Sequence, residues 1–298
     1  MKSRTGRTLL VLGTSGFLGR ALVEALAARL VAGRAAPFAA AVAAGPHPHA
    51  PAPLRPLVVD GSRPGAVARA LAVERPDAVL LVSALARGGD CERDPELAAR
   101  LNADLPGEVA RWCAAAGARL VHASTDLVFA DPAPRPGGRL ESDPVGATDA
   151  YGRTKAAGEV AVLDACPGSL VARLPLLVGD SRGRGLGASD GLLAALSRGD
   201  APTLFDDEWR TPLDVDRAAA ALLDLAAGDA RGIVHLPGPE RLTRAELGRR
   251  VAAAAGAPPE RLRVAPRAAL GLEARPADVC LDGERARLLL GDGWNRVR

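Results

Sequence analysis

Residues 11–20 read VLGTSGFLGR, and the three glycines Gly13, Gly16 and Gly19 end one apolar run and open another. Before them, TLLVL at residues 8–12 has the composition of a buried strand. After them, Phe17 to about Leu30 has that of a helix. A glycine triplet alone is a weak signal. Set between a strand and a helix, it permits a tight turn and lets backbone N–H groups approach a pyrophosphate at the helix N-terminus. The stretch therefore predicts a dinucleotide site that uses Gly13, Ser15, Gly16, Phe17, Leu18 and Gly19.

Further along the chain the same rhythm recurs. FAAAVA, PLVV, AVLLV, LVHA and SLVARL each read as a buried strand, and helical stretches intervene, notably at Glu96–Ala116 and Tyr151–Leu163. Near-continuous apolar strands alternating with amphipathic helices predict a parallel sheet covered on both faces, a doubly wound α/β fold. Ligands of such folds sit at the carboxyl ends of the strands. After about Arg173 the rhythm changes. SRGRGLGASDG reads as a glycine-rich loop, APTLFDDEWRTPLD as mixed strand and turn, and Val215–Ala227 as a helix. GIVHLPG reads as a short strand, and LTRAELGRRVAAAAG as a helix opened by a Thr-x-x-Glu capping box. The expected organisation is a dinucleotide-binding domain over residues 1–173 and a smaller C-terminal substrate-binding domain over 174–298 that partly returns to the sheet.

The bulk composition sets limits. A chain of 298 residues with 48% hydrophobic residues can bury a large core. The formal charge of +3, from 38 basic and 35 acidic residues, is spread without a Lys/Arg block, which argues against nucleic-acid or membrane partners. Four cysteines without CxxC spacing read as reduced, structural thiols. The basic start before TLLVL resembles a signal peptide, but Gly13 and Gly16 cut the apolar run short. Ala35–Leu54 carries prolines and two histidines and is no membrane span. A cytoplasmic protein is expected. PHPHAPAPLRP reads as an extended surface loop. His47 and His49 within it read as solvent-exposed rather than metal-binding, and His122 and His235 as core residues. No metal is expected.

The acid that grips an adenosine ribose is expected about 20 residues beyond the glycine loop, at the end of the second strand. No Asp or Glu occurs there between Glu24 and Asp60. A 2′-phosphate has Arg20, Arg34 or a loop histidine to meet, so NADPH is favoured over NADH. Asp60, after the third strand, is placed at the adenine.

Residues 151–155 read YGRTK, and Tyr151 is the chain's single tyrosine. On a helix, Tyr151 and Lys155 lie on one face, one turn apart. VHASTDLVF ends the fifth strand with Ser124, Thr125 and Asp126, where this fold puts its chemistry. A hydroxyl, a phenol and an ammonium together suit reduction of a carbonyl. Thr125 would bond the carbonyl oxygen and Tyr151 would donate a proton. Lys155 would lower the phenol's pKa and orient the nicotinamide ribose.

Together these motifs resemble an extended short-chain dehydrogenase/reductase of the Rossmann type, and within that group the dTDP-4-dehydrorhamnose reductases. LGTSGFLG, DPELAARLNADLPGEVARWCAAAGARLVHASTDLVF and YGRTKAAGE are similar to that family's glycine, active-site-strand and Tyr-Lys motifs. The resemblance implies catalytic roles for Thr125, Tyr151 and Lys155, with Asp126 beside them, and a cofactor-facing place for Asn102. Ser83 and Ala84 fall at the same cofactor edge. WRTPLDVDRAA and ARPAD resemble segments that supply phosphate-binding arginines, which implicates Arg210 and Arg275. Leu127 stands where the family has a tyrosine near the substrate, and SALARGGD also departs from its pattern. The reading is an NAD(P)H-dependent reductase of a nucleotide-activated deoxysugar or related carbonyl substrate, possible as a homodimer. Two alternatives stay open: a nucleotide-sugar epimerase, and a non-catalytic cofactor-binding regulatory subunit of the same fold. A dehydratase is disfavoured, because Leu127 rather than an acid follows Asp126.

Overall fold

A computed structural model describes residues 6–130, 136–181, 184–272 and 275–296. The first half alternates as expected. Strand β1 (Arg7–Leu12) leads into α1 (Phe17–Val31), then β2 (Phe38–Gly45), β3 (Arg55–Val58), α2 (Ala66–Glu74) and β4 (Ala78–Leu81). Next come α3 (Gly88–Arg93), α4 (Pro95–Ala99), a π-helical turn at Arg100–Asp104, α5 (Leu105–Ala116), β5 (Arg119–Thr125), a 3-10 turn at Asp126–Val128, α6 (Ala150–Ala165) and β6 (Leu170–Leu174). The second half holds the short strands β7 (Leu177–Val178), β8 (Thr203–Phe205), β9 (Trp209–Arg210) and β10 (Leu213–Asp214), with α7 (Gly187–Ser197) between β7 and β8. It continues through α8 (Val215–Ala227), β11 (Gly232–His235), β12 (Leu242–Thr243), α9 (Arg244–Ala254), β13 (Arg263–Ala265) and α10 (Glu284–Leu290).

Seven strands form one parallel sheet in the order β11-β6-β5-β4-β1-β2-β3. Its order reverses beside β1, which sets the ligand crevice at the carboxyl ends of β1, β4 and β5. Both faces are apolar because successive strand residues point to opposite sides. Leu9 and Val11 of β1 pack into a core with Leu22, Val23 and Leu26 of α1 and Leu222 and Leu225 of α8. Leu10 and Leu12 face the other way, toward Val67 and Leu71 of α2, Val109 of α5 and Val162 of α6.

The edges of the sheet are both modified. Pro56 sits within edge strand β3, and at the opposite edge Arg285 of α10 donates to the carbonyls of Ile233 and Arg231, each at 2.5 Å. Helix α9 opens on the expected capping box: Thr243 Oγ1 accepts from Glu246 N, and Glu246 Oε2 accepts from Thr243 N. The stretch read as a glycine-rich loop differs in part. Its last residues, from Gly187 on, start α7, because Leu192 and Leu196 find an apolar partner in Leu262 and Ala252; Arg182 and Gly183 lie outside the described residues.

Helix α6 lies unusually close to its neighbours. A Cβ on Gly158 would stand 2.1 Å from the Asn102 carbonyl oxygen in the π-helical turn. Inside the same helix, Glu159 forms a buried pair with Arg173 of β6, Oε2 to Nη2 at 2.7 Å. The guanidinium of Arg173 also lies over the Phe129 ring, 4.9 Å from its centre. Gly158→Ala should cost about 1–3 kcal/mol of unfolding free energy, as overpacking does. The check is the denaturant midpoint, and an unchanged midpoint would show that α6 retreats without loss.

Candidate active site

The glycine loop is shaped for an anion. Gly13 has φ +106°, a region that favours glycine, and a Cβ there would stand 2.6 Å from the Ser83 backbone nitrogen. A Cβ on Gly19 would meet the Gly13 carbonyl oxygen at 2.1 Å, so the first turn of α1 can sit against the loop only without a side chain. Gly16 is the N-cap of α1. No side chain caps that helix end, and no acidic residue stands in its first turn. The amides of Phe17 and Leu18 therefore keep their donor capacity and the positive end of the helix dipole. A dinucleotide pyrophosphate fits this donor set.

Around the loop, Ser15 accepts a hydrogen bond from Arg184 Nη2 through its carbonyl, at 2.9 Å. Beyond β2 the chain continues as Pro46-His47-Pro48-His49, and His49 Nε2 lies 2.7 Å from Glu24 Oε1. The Glu24 carboxylate of α1 is thus engaged with a histidine of this corner. Asp60 accepts from the Ser62 amide and hydroxyl at 2.9 and 2.7 Å, and these bonds hold its carboxyl below the usual range. Ser83 and Ala84 follow β4 and are half-buried beside the loop.

Thr125, Asp126, Tyr151 and Lys155 come together at the end of β5. Thr125 Oγ1 donates to Asp126 Oδ1 at 3.1 Å and accepts from the Leu127 amide at 3.2 Å. Asp149 caps α6 by accepting from Gly152 N at 2.6 Å. A Cβ on Gly152 would stand 2.2 Å from the Leu127 carbonyl oxygen. The first turn of α6 therefore rests on the turn that follows Thr125, and Tyr151 is brought beside that hydroxyl.

Burial governs the electrostatics here. It raises the phenol of Tyr151 above its ordinary pKa, the Asp126 carboxylate adds to the rise, and a hydrogen bond with Thr125 opposes it. Burial also raises Asp126 to about 6, against the pull of Arg210. Lys155, 2% exposed, is lowered to about 8 by burial, with Glu159 working the other way. Its ammonium donates to the Ala123 carbonyl at 2.7 Å and lies 3.3 Å from His122 Nε2. His122 is wholly buried and held well below its ordinary pKa, chiefly by desolvation, so it stays neutral and Nε2 accepts. The expectation that Lys155 lowers the phenol's pKa is corrected accordingly. The ammonium is turned to β5, and desolvation with Asp126 dominates the phenol.

Asn102 is engaged by groups of the chain itself. Its side chain is fully buried, with Oδ1 accepting from Leu85 N at 2.9 Å and Nδ2 donating to Leu85 O and Thr154 Oγ1, each at 3.1 Å. It ties the segment after β4 to α6 and so positions both. Leu127 is half-buried and packs against Val128, Phe129, Val279 and Leu281.

The two expected phosphate arginines meet in space around an acid that the sequence reading missed. Glu208, 1% exposed, pairs through Oε1 with Arg210 Nη2 at 2.9 Å and through Oε2 with Arg275 Nε at 3.2 Å. Arg244 Nε stands 3.9 Å from Oε1. Arg210 in turn points Nε at Asp126 Oδ2, 3.9 Å away, which joins this cluster to the turn that follows Thr125. A signal for Arg244 was present: a cation in the first turn of a helix opposes the macrodipole and needs another partner.

The profile of the family described as "RmlD substrate binding domain" matches residues 7–295. The chain belongs to this family. A relative, the probable dTDP-4,6-dihydroxy-2-methyloxan-3-one 4-ketoreductase of Streptomyces antibioticus, is 33% identical over 93% of the chain and 88% of its own length. The dTDP-4-dehydrorhamnose reductase of Mycolicibacterium smegmatis is 35% identical, over 63% of the chain and 57% of that protein. Among solved structures, the dTDP-4-dehydrorhamnose reductase of Bacillus anthracis in complex with NADP superposes with a TM-score of 0.78 at 20% identity, covering 95% of this chain and 92% of that one. Among the described residues, no helix is long and apolar enough to cross a membrane.

In this RmlD-family chain, Asn102→Ala should leave the Leu85 amide without its partner, at about 1–3 kcal/mol if it stays buried, while the Leu85 carbonyl keeps the Cys91 thiol at 3.2 Å. Asn102→Asp, which still accepts but cannot donate, should fall between. Thermal melts of the three proteins check the order.

Proposed function

We propose that the chain is an NAD(P)H-dependent reductase that transfers hydride to the keto group of a nucleotide-activated deoxysugar, in the manner of a dTDP-4-dehydrorhamnose reductase. The observation that carries the reading is the convergence of Thr125, Tyr151 and Lys155 at the carboxyl end of β5, beside the uncapped start of α1. Gly13, Ser15, Gly16, Phe17, Leu18 and Gly19 would hold the pyrophosphate, Asp60 the adenine edge, and Ser83 and Ala84 the flank of the nicotinamide half. A reduced nicotinamide bound there supplies the hydride.

The chain's own residues do the rest. Thr125 and Tyr151 bond the carbonyl oxygen, and the neutral phenol, kept protonated by its buried setting, gives that oxygen its proton. Lys155, one helical turn along and held on the Ala123 carbonyl, would offer its remaining donor to the cofactor's ribose. Arg275 and, chiefly through its charge, Arg210 would serve the substrate's diphosphate, and Leu127 would border the sugar. The missing second acid after Asp126 supports reduction over dehydration, and the absence of a carboxylate at the end of β2 supports NADPH over NADH. The reading treats residues 1–173 as the dinucleotide-binding domain and 174–298 as mainly the substrate part, in a cytoplasmic enzyme.

A titration with NADPH and NADH, followed by dTDP- and UDP-linked keto sugars, tests the assignment. NADPH oxidation dependent on a keto sugar is the expected result, and cofactor binding without turnover on any of them would overturn it. Tyr151→Phe should lower kcat by roughly 10²–10⁴ with NADPH affinity nearly unchanged; equal turnover would remove the phenol from the mechanism. The rate should also show an alkaline limb near pH about 8, because Lys155 is charged below that value and loses its proton as pH rises through it. Lys155→Arg, which stays charged, should lack this limb in whatever activity remains.

A further inference from the structure

The Glu208 cluster holds more positive charge than it needs for itself. Three guanidiniums, from Arg210, Arg244 and Arg275, converge on one carboxylate. The nearest further anion is Asp126, which burial lifts to about 6, so it is mostly ionised at pH 7 and gives up its charge only as pH falls through that value; even so, three guanidiniums face two carboxylates. Like charges this close in an enclosed setting repel, and the cost grows as the local dielectric falls. The effect is visible in Arg244. Its pKa is lowered, first by burial and then by Arg210 and Arg275, while Glu208 and Asp126 oppose the shift. Its Nη1 is buried with no hydrogen-bond partner among the described residues. A buried, unpartnered charged donor is expensive unless a ligand completes it.

The three arginines are not equivalent. Arg210 is 4% exposed and its nitrogens are committed: Nη2 to Glu208, Nη1 to the Trp209 carbonyl at 2.8 Å, and Nε toward Asp126. Its contribution is chiefly a fixed field and a link to the turn that follows Thr125. Arg275 keeps about half of its side chain in solvent. Arg244 sits between these extremes, 23% exposed, with one terminal nitrogen to spare. Its backbone is fixed as well, since Arg244 N donates to the Glu208 carbonyl at 2.9 Å and the capping box pins Thr243 before it.

We infer that Arg244 is a specificity-determining ligand of the substrate's diphosphate, held on Glu208 so that its free edge takes the second phosphate. The inference rests on the reading of this site as one for a nucleotide-activated substrate. A dianionic diphosphate offsets the surplus that Glu208 leaves, whereas a monophosphate reaches fewer of the guanidiniums. Arg suits the role because its planar guanidinium can face Glu208 at 3.9 Å along one edge and donate to a phosphate oxygen from another, which a lysine cannot do.

Calorimetric titration of the full chain with dTDP and with dTMP tests this. Wild type should bind dTDP more tightly. Arg244→Gln should weaken dTDP by roughly tenfold to a hundredfold, the loss of a charge-assisted bond, and weaken dTMP far less, with NADPH affinity and melting temperature retained. Arg244→Lys should lose an intermediate amount. The inference is overturned if both variants keep dTDP affinity within about twofold, or if dTDP, dTMP and NADPH weaken together. In either case keto-sugar reduction by wild type would leave the reductase reading standing. A wild-type chain that binds neither nucleotide and oxidises NADPH with no keto sugar would remove both.

Discussion

The reactive end of the molecule depends on how closely α6 approaches what lies beneath it. Two of its glycines, Gly152 and Gly158, meet backbone carbonyls at distances that admit no Cβ. One contact seats Tyr151 beside the turn that follows Thr125. The other seats the middle of the helix on the π-helical turn at Asn102, whose side chain grips Leu85. A helix packed through side chains alone would stand farther off, and the phenol and ammonium with it. Backbone proximity thus does for this site what a bulky core residue does elsewhere: it sets a distance.

Much of this was legible in the chain. The glycine loop, the alternation of apolar strands and helices, and the Tyr-Lys spacing each follow from a short local pattern, so residue order alone was enough to place the sheet and to bring Thr125, Tyr151 and Lys155 to the end of one strand. Asn102 and Glu208 were harder for a physical reason. What they do depends on partners far away in sequence, Thr154 for one and Arg244 and Arg275 for the other, and no periodicity records such meetings. Helix α7 was masked by Gly185 just before it and by its own Gly187 and Gly191. Only Leu192 and Leu196, which pack on residues from beyond position 250, reveal why it is helical. The supposed influence of Lys155 on Tyr151 erred for a third reason. Spacing on a helix fixes a shared face, but not which neighbour the end of a long side chain prefers.

The groups at the site are all pushed toward their neutral forms: the phenol and Asp126 upward, Lys155 and His122 downward. Desolvation is the leading cause in each case, and it marks a place where water has been largely excluded. Such a setting strengthens every remaining electrostatic contact, and stability elsewhere in the core has to offset it. The two apolar layers on either side of the sheet supply that support, with β1 contributing to both.

Pro56 and Arg285, at opposite margins of the sheet, bear on how the protein behaves among its own copies. A strand margin with free amides and carbonyls invites a second chain to extend the ladder, and a proline or an occupied carbonyl removes rungs from it. With one such stopper on each flank, crowded or freshly synthesised molecules have little template for stacking into fibres.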